Sequence, residues 1–420
     1  MCQLFKSVRR IHRSHPAPLQ TSRAVSLKLA AFLAVVCFAA TGFAQLDLLY
    51  INANIGSCPK CQTSSNQVLA YNLHTTTGIL SRINGPFTTG GTGVYRNPPG
   101  NEIDADQQVI VNAAGTLLFA VDGDSNDIAV FSINSDGSLT AAPGSPFPSN
   151  GPQPASLGLL EDPAIGGGNS ILVVANKDND PLQPPTTPNF STFLVSPTGV
   201  LTLNSGATIT LQSGASPTQA LINQKGDLLF GMEYYGSNGH ANLTSYRIKL
   251  DGTLSAVSTV NPPNGGKYFL GEAQNPQTSA LYAGLPDQSS LGVYQFGIAT
   301  GTIAYKATVA DPAKPGWLTI NRRGTRLYAS ENAANAVTVY QTSNSLKPVQ
   351  LQHLVLSSGG TFGATNLALD GTEKYLFVLT GTTLHTLSVL SDGTLAETIP
   401  AHLLPVPAGT IPTGMSTLVK

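Results

Sequence analysis

Polar residues recur along this chain in short clusters just past apolar runs: Asn52, Asn54, Asp122, Asp124, Asn176, Lys177, Asp178, Glu233, Asp287, Glu331 and Asn332. Carboxylates and amides gathered around one opening bind a cation, position a water or grip a polyol. The competing reading is local, because Asp and Asn side chains favour turns by bonding their own backbone. Among the histidines, His240 follows Glu233 closely enough to join it, although an exposed turn cap is its plainer role. His74 falls in a turn on the opposite face, and His353, His385 and His402 fall on outer strands. The chain has no Gly-x-Ser-x-Gly elbow, P-loop or His-x-x-x-His pair. A serine hydrolase, a nucleotide enzyme and a zincin are thereby disfavoured, and no metal or cofactor is expected.

The first 44 residues read as a leader. Six basic residues and no acidic one precede the apolar run 29–44, which is 16 residues long. That is short of the roughly 20 residues a spanning helix needs. Gly42 and Ala44 supply the small residues of a cleavage site before Gln45, so a secretory signal peptide over 1–44 is expected rather than a membrane anchor. The remainder carries 16 basic against 23 acidic residues. An acidic body does not suit nucleic acid, which needs clustered Lys and Arg. Cys2 and Cys37 lie in the leader, leaving Cys58 and Cys61. In an oxidising compartment this pair reads as a local disulfide. A zinc site would want a second pair, and haem attachment would want His where Gln62 stands.

Self-similarity supplies the elements that would position these groups. An apolar–aromatic strand recurs seven times, at Leu49-Tyr50, Leu118-Phe119, Leu172-Val173, Leu229-Phe230, Leu281-Tyr282, Leu327-Tyr328 and Leu376-Phe377. A second alternating strand follows each, centred on Tyr71, Phe131, Phe193, Tyr246, Phe296, Tyr340 and Leu387. A turn and a further strand come next, marked by Gly78, Gly137, Gly199, Gly252, Gly301 and Gly393, with Asn344-Ser345-Leu346 in the sixth unit. Four short strands per unit of about fifty residues mark a propeller blade, whose faces are buried only by stacking in a ring. The reading is therefore all-β: a seven-bladed β-propeller of four-stranded antiparallel blades spanning 45–420. The first unit lacks its initial strand, and the stretch 413–420 reads as that strand, closing the ring.

The units resemble the lactonase-type seven-bladed propellers, the family of 6-phosphogluconolactonase and carboxymuconate cyclase. The likeness is carried by Gly115-Thr-Leu-Leu-Phe-Ala-Val-Asp122, by the run 128–139, by Gly324-Thr-Arg-Leu-Tyr-Ala-Ser-Glu-Asn332 and by the exits Gly85-Pro-Phe87 and Gly144-Ser-Pro-Phe147. It covers nearly the whole of 45–420. The resemblance implies an acid at the end of the second strand of the fourth blade, where members often carry Asn-Glu. Here that place reads Met232-Glu233, and no inner strand opens with the family's Pro-His.

Lactone hydrolysis needs a base to activate water and a cation to hold the developing oxyanion. Glu233 is the candidate base and Arg96, in the long first inter-blade segment 86–107, the candidate cation. Asp122, Asp124, Lys177, Asp178, His240, Lys267, Trp317, Glu331 and Asn332 are candidate ligand-binding groups. Because fold does not dictate function, two readings are carried forward. The first is a secreted or periplasmic, monomeric propeller binding a small molecule or a protein. The alternative is a lactonase-like hydrolase, for which an exported acidic chain suits a neutral or cationic lactone better than a phosphorylated one. A plug formed by 86–107 would favour the first, and a base and cation sharing one water would favour the second.

Overall fold

The computed structural model describes residues 45–56, 65–94, 105–177, 186–236, 239–357 and 363–420. Arg96, Asp178, Cys58 and Cys61 lie outside them, as does the leader 1–44. The strands form seven antiparallel sheets. Reading outward from the axis, blade 2 is Val109–Val111, Leu117–Asp122, Asp127–Ile133 and Leu139–Ala141. Blade 3 is Pro154–Leu160, Ser170–Asn176, Asn189–Val195 and Leu201–Leu203. Blade 4 is Pro217–Ile222, Leu228–Glu233, Leu243–Ile248 and Leu254–Val260, and blade 5 is Leu270–Gln274, Ala280–Leu285, Ser290–Phe296 and Ile303–Ala310. Blade 6 is Pro315–Ile320, Arg326–Glu331, Ala336–Gln341 and Val349–Val355, and blade 7 is Asn366–Leu369, Tyr375–Thr380, Thr383–Val389 and Leu395–Ala396.

Blade 1 closes the ring as its missing strand required. Asp47–Asn52, Gln67–Leu73 and Leu80–Arg82 take their inner partner from the C-terminus, where Thr413–Val419 pairs antiparallel with Asp47–Asn52. The Lys420 ammonium then donates to the carbonyls of Ile133 and Asn134 in blade 2, each at 2.9 Å.

Strand alternation explains the core. On the second strand of blade 1, Leu49 and Ile51 pack toward blade 7 while Leu48 and Tyr50 pack toward blade 2. The same division repeats round the ring, producing seven apolar clusters, one at each blade interface. Two repeated sequence signals prove to be partners. Tyr50, Tyr282 and Tyr328 donate their hydroxyls to the carbonyls of Gly137, Ser345 and Gly393, in the outer turn of the next blade, at 2.9, 2.8 and 3.0 Å. Those turns need glycine for their left-handed backbone, with φ of 82° at Gly137 and 83° at Gly393. The sixth blade, which lacks the glycine, turns instead with the Asn344 side chain accepting from the Leu346 amide at 3.3 Å.

Candidate functional site

The end of each blade's second strand is the place where the sequence puts its polar residues. Alternation there aims the side chains between blades, and most are held by neighbours. Asp122 lies wholly buried between blades 1 and 2, its Oδ1 accepting from Asn66 Nδ2 and Thr89 Oγ1, both at 2.8 Å. Asn52 donates to the Val121 carbonyl at 2.9 Å, and Asn54 holds the carbonyls of Val94 and Ile411 at 3.2 and 3.0 Å. Asn176 is bonded to Asn189 Oδ1 at 2.9 Å. Glu331 is buried in blade 6, where Thr338 donates to it and His353 Nδ1 lies 3.2 Å away. These groups are fasteners, and desolvation pushes the carboxyls of Asp122 and Glu331 up to about 7.

Glu233 stands at the same place in blade 4. It shares a strand face with Leu229 and Gly231, the face packed on Phe190 of blade 3. The carboxylate is 5 % exposed and accepts one bond, from Asn242 Nδ2 at 2.8 Å. Burial drives its pKa up to about 7, and Asn242 opposes that rise. The hairpin beyond Glu233 brings two more candidates into its corner: Gly236 N–H donates to the His240 carbonyl at 3.0 Å, and Ala241 N–H to that of Lys267 at 2.9 Å. His240 Nδ1 itself lies 3.2 Å from the Gly266 carbonyl. Tyr234 stacks on Tyr268 alongside, with ring centroids 4.8 Å apart. The backbone at His240 and Lys267 is thereby fastened to the hairpin that follows Glu233, while the Glu233 carboxylate itself is bonded to Asn242. Asp122 and Asp124 stand in blade 2, Glu331 and Asn332 in blade 6, and Lys177, wholly buried, in blade 3. Trp317 is 2 % exposed and serves the packing of its inner strand.

Blade 7 contains an arrangement that sequence reading missed. Thr380 Oγ1 lies 3.0 Å from His385 Nε2, and His385 Nδ1 lies 2.7 Å from Glu397 Oε1. A hydroxyl, an imidazole and a carboxylate in that order would make an activated nucleophile. Both Thr380 and His385 are wholly buried, however, so no substrate reaches the hydroxyl. The trio ties the strands of blade 7 together.

The channel itself is crossed near the Glu233 end. Asp106 N–H donates to the Thr218 carbonyl of blade 4 at 3.1 Å, and Asn366 Nδ2 of blade 7 donates to Asp106 Oδ1 at 2.9 Å. Leu157 N–H of blade 3 donates to the Gln107 carbonyl at 3.1 Å, and Gln219 Nε2 reaches Gln107 Oε1 at 3.2 Å. Residues bonded to three blades at once span the axis. Beyond them a cavity of about 510 Å³ runs to the opposite face, lined by inner-strand residues and by the turns bearing Gln224, Arg322 and Glu373. Pro217 pairs with Glu233, whereas the cavity's wall in blade 4 begins at Gln219, so the crossing separates Glu233 from it.

Glu272 lies at the cavity's deep end, 1 % exposed, with neither carboxylate oxygen hydrogen-bonded. Desolvation and the nearby Asp106 push its pKa well above the ordinary value, and burial raises Asp106 also. One sequence signal was available for Glu272: an acid inside an inner strand, Leu270–Gln274, where the other strands place neutral residues. For Asp106 there was none, because its partners are remote in sequence.

Residues 280–403 match the family model described as lactonase, 7-bladed beta-propeller. No protein of curated function matches the sequence. Among solved structures, a putative 6-phosphogluconolactonase from Bacteroides fragilis matches with a TM-score of 0.66 at 14% identity, over 90% of this chain and 99% of its own. The periplasmic gluconolactonase of Pseudomonas aeruginosa matches with a TM-score of 0.66 at 14% identity, over 89% and 99%. A Lactobacillus plantarum protein matches with a TM-score of 0.65 at 16% identity, also over 89% and 99%. At such identities the structural likeness is one of fold. The fold of 45–420 is thus that of a seven-bladed β-propeller, and over residues 280–403 its sequence is similar to the lactonase family.

Proposed function

We propose that the chain is an exported binding propeller, holding a small polar ligand in its channel, rather than a lactonase acting at Glu233. The observation that carries this reading is the crossing of the channel by Asp106 and Gln107, which leaves Glu233 on one side and the 510 Å³ cavity on the other. Most acids and amides of the Glu233 face are already hydrogen-bonded within or between blades, and among the described residues Glu233 is bonded to an amide rather than paired with a cation. Support for export comes from the leader pattern of 1–44 and from the periplasmic placing of the Pseudomonas aeruginosa neighbour. Among the described residues no helix is long and apolar enough to cross a membrane.

The hydrolase is the second reading, favoured by one observation. Burial pushes the Glu233 carboxyl up to about 7, and a carboxyl so placed is suited to general-base work near neutrality. A lactone would then meet Glu233 beside the hairpin that carries Asn242 and His240.

The binding reading is tested by the unfolding midpoint of the purified protein in sugars, sugar acids, amines and lactones. A ligand at a hundredfold excess over its Kd stabilises by about 2.7 kcal/mol. At least one class is expected to do so saturably and to be recovered unchanged. Stabilisation by none, together with consumption of a lactone, would overturn the proposal.

A further inference from the structure

The deep end of the channel cavity offers hydrogen-bond acceptors and lacks donors to fill them. Glu272 presents two unbonded carboxylate oxygens while 1 % exposed, and Asn366, which bonds Asp106 through Nδ2, has an unbonded Oδ1 while 2 % exposed. The neighbouring amide donors are already used. Gln219 Nε2 serves Gln107 and the Glu272 carbonyl, and Asn366 Nδ2 serves Asp106. A buried carboxylate without partners costs several kcal/mol unless a cation or donor meets it.

The charges facing the cavity are one-sided. Asp106 and Glu272 stand at its deep end, and Asp370 and Glu373 near its rim. Arg322 is the one cation of the lining among the described residues, and it is held away from the acids within. Its guanidinium donates to the Gly371 carbonyl at 2.7 Å. Between rim and floor the walls are mixed, with Leu221, Leu318, Leu367 and Met415 interleaved with Gln274, Thr319 and Thr417.

A bare metal ion suits this place poorly. Among the described residues no group of three or more His, Cys, Asp or Glu is arranged to hold one, and the Gln219 side-chain oxygen already accepts from the Glu272 amide at 2.7 Å. A neutral polyol can bond these acids but offers no charge to favour their ionised form, which burial disfavours, whereas a cation does. An amine answers both features, because its N–H groups are all donors and its charge opposes the carboxylates, while a short carbon chain is accommodated by the apolar half of a mixed wall.

We propose that the cavity binds an organic ammonium ion, a primary amine with a short alkyl chain, whose N–H groups donate to Glu272 while its chain lies along the apolar part of the mixed walls. The assignment rests on the binding reading above and supplies the ligand class for it. Glu272 is the anchoring group. Asp106 adds charge and, through Asn366 and Thr218, fixes the floor.

Calorimetric titration of the purified protein with n-butylamine and putrescine hydrochlorides tests this, with butane-1,4-diol and calcium chloride as the competing chemistries. Both amines are expected to bind saturably, and the diol at least about tenfold more weakly, since bonds to a charged group contribute about 1.5–3 kcal/mol. Glu272→Gln is expected to weaken the amines by about tenfold or more. Its fold is checked by its unfolding transition, and Asp106→Asn serves as a second variant with a smaller loss. Glu233→Gln, across the channel crossing, is expected to bind amines unchanged. Amines that fail to bind, or that bind Glu272→Gln as tightly as the wild type, overturn the assignment. Glu272-dependent binding of calcium or the diol without the amines also overturns it, while leaving the binding reading intact. Lactone turnover lost with Glu233 would instead overturn the binding reading itself.

Discussion

Replacing Asp122 by Asn should make the protein's stability markedly less dependent on pH. Asp122 is wholly buried, its Oδ1 is bonded to Asn66 and Thr89, and its Oδ2 has no partner. Burial raises its pKa from 3.8 to about 7. The folded state therefore keeps a proton that the unfolded state releases above about pH 4. Stability from this group is fully present below the unfolded pKa and is lost as pH rises through about 7. Each pH unit in that window costs about 1.4 kcal/mol, so the whole interval of about three units removes about 4 kcal/mol at most. Asn keeps the Oδ1 acceptor and never ionises. Relative to wild type, Asp122→Asn should gain about 2–4 kcal/mol between pH 4.5 and pH 8. Asp47, Glu233 and Glu331 are raised to about 7 as well, but they remain in both proteins and largely cancel in the comparison. Urea unfolding of both proteins at the two pH values measures the difference. Parallel movement of the two midpoints would mean that Asp122 is ionised and compensated in the folded state, and would refute the reasoning.

Removing residues 413–420 takes the inner strand from blade 1 and opens the ring; the truncated chain should lose its cooperative unfolding transition, and a normal midpoint by circular dichroism would contradict the closure. Phe230→Ala hollows the interface between blades 4 and 5, where Phe230 is wholly buried against Phe296 at 5.1 Å between centroids. It should cost about 3–5 kcal/mol in denaturant unfolding. Protein made with its own leader in an exporting host should begin at Gln45 by N-terminal sequencing, and a chain retaining 1–44 in the soluble fraction would count against the export reading.

The ring was legible in the sequence because its signals are local and repeated: an aromatic strand, an alternating strand and a glycine turn, seven times with one exception. Closure was legible too, since blade 1 visibly lacked a strand and 413–420 visibly supplied one. The site was less so. Residues such as Asp122 and Glu331 were read as a ring of groups able to meet a ligand, but pleat alternation points both between blades. Which face a strand's last residue takes depends on register with a neighbouring blade some fifty residues away. Asp106 shows the limit most sharply. Its partner Asn366 is 260 residues distant, and only ring closure brings the two together across the channel. Glu272 stood in plain view on an inner strand, yet its meaning depends on the donors of Gln219 and Asn366 serving other acceptors, a property of the packed channel alone.

Hydrolysis of phosphorylated and unphosphorylated lactones by the purified protein, beside Glu233→Gln, separates a binding propeller from a lactonase. If the channel crossing has left this propeller a binding module, ring opening should match the uncatalysed rate in both proteins for every lactone. Turnover by the wild type that disappears in Glu233→Gln would contradict the account and make Glu233 the base of a lactonase.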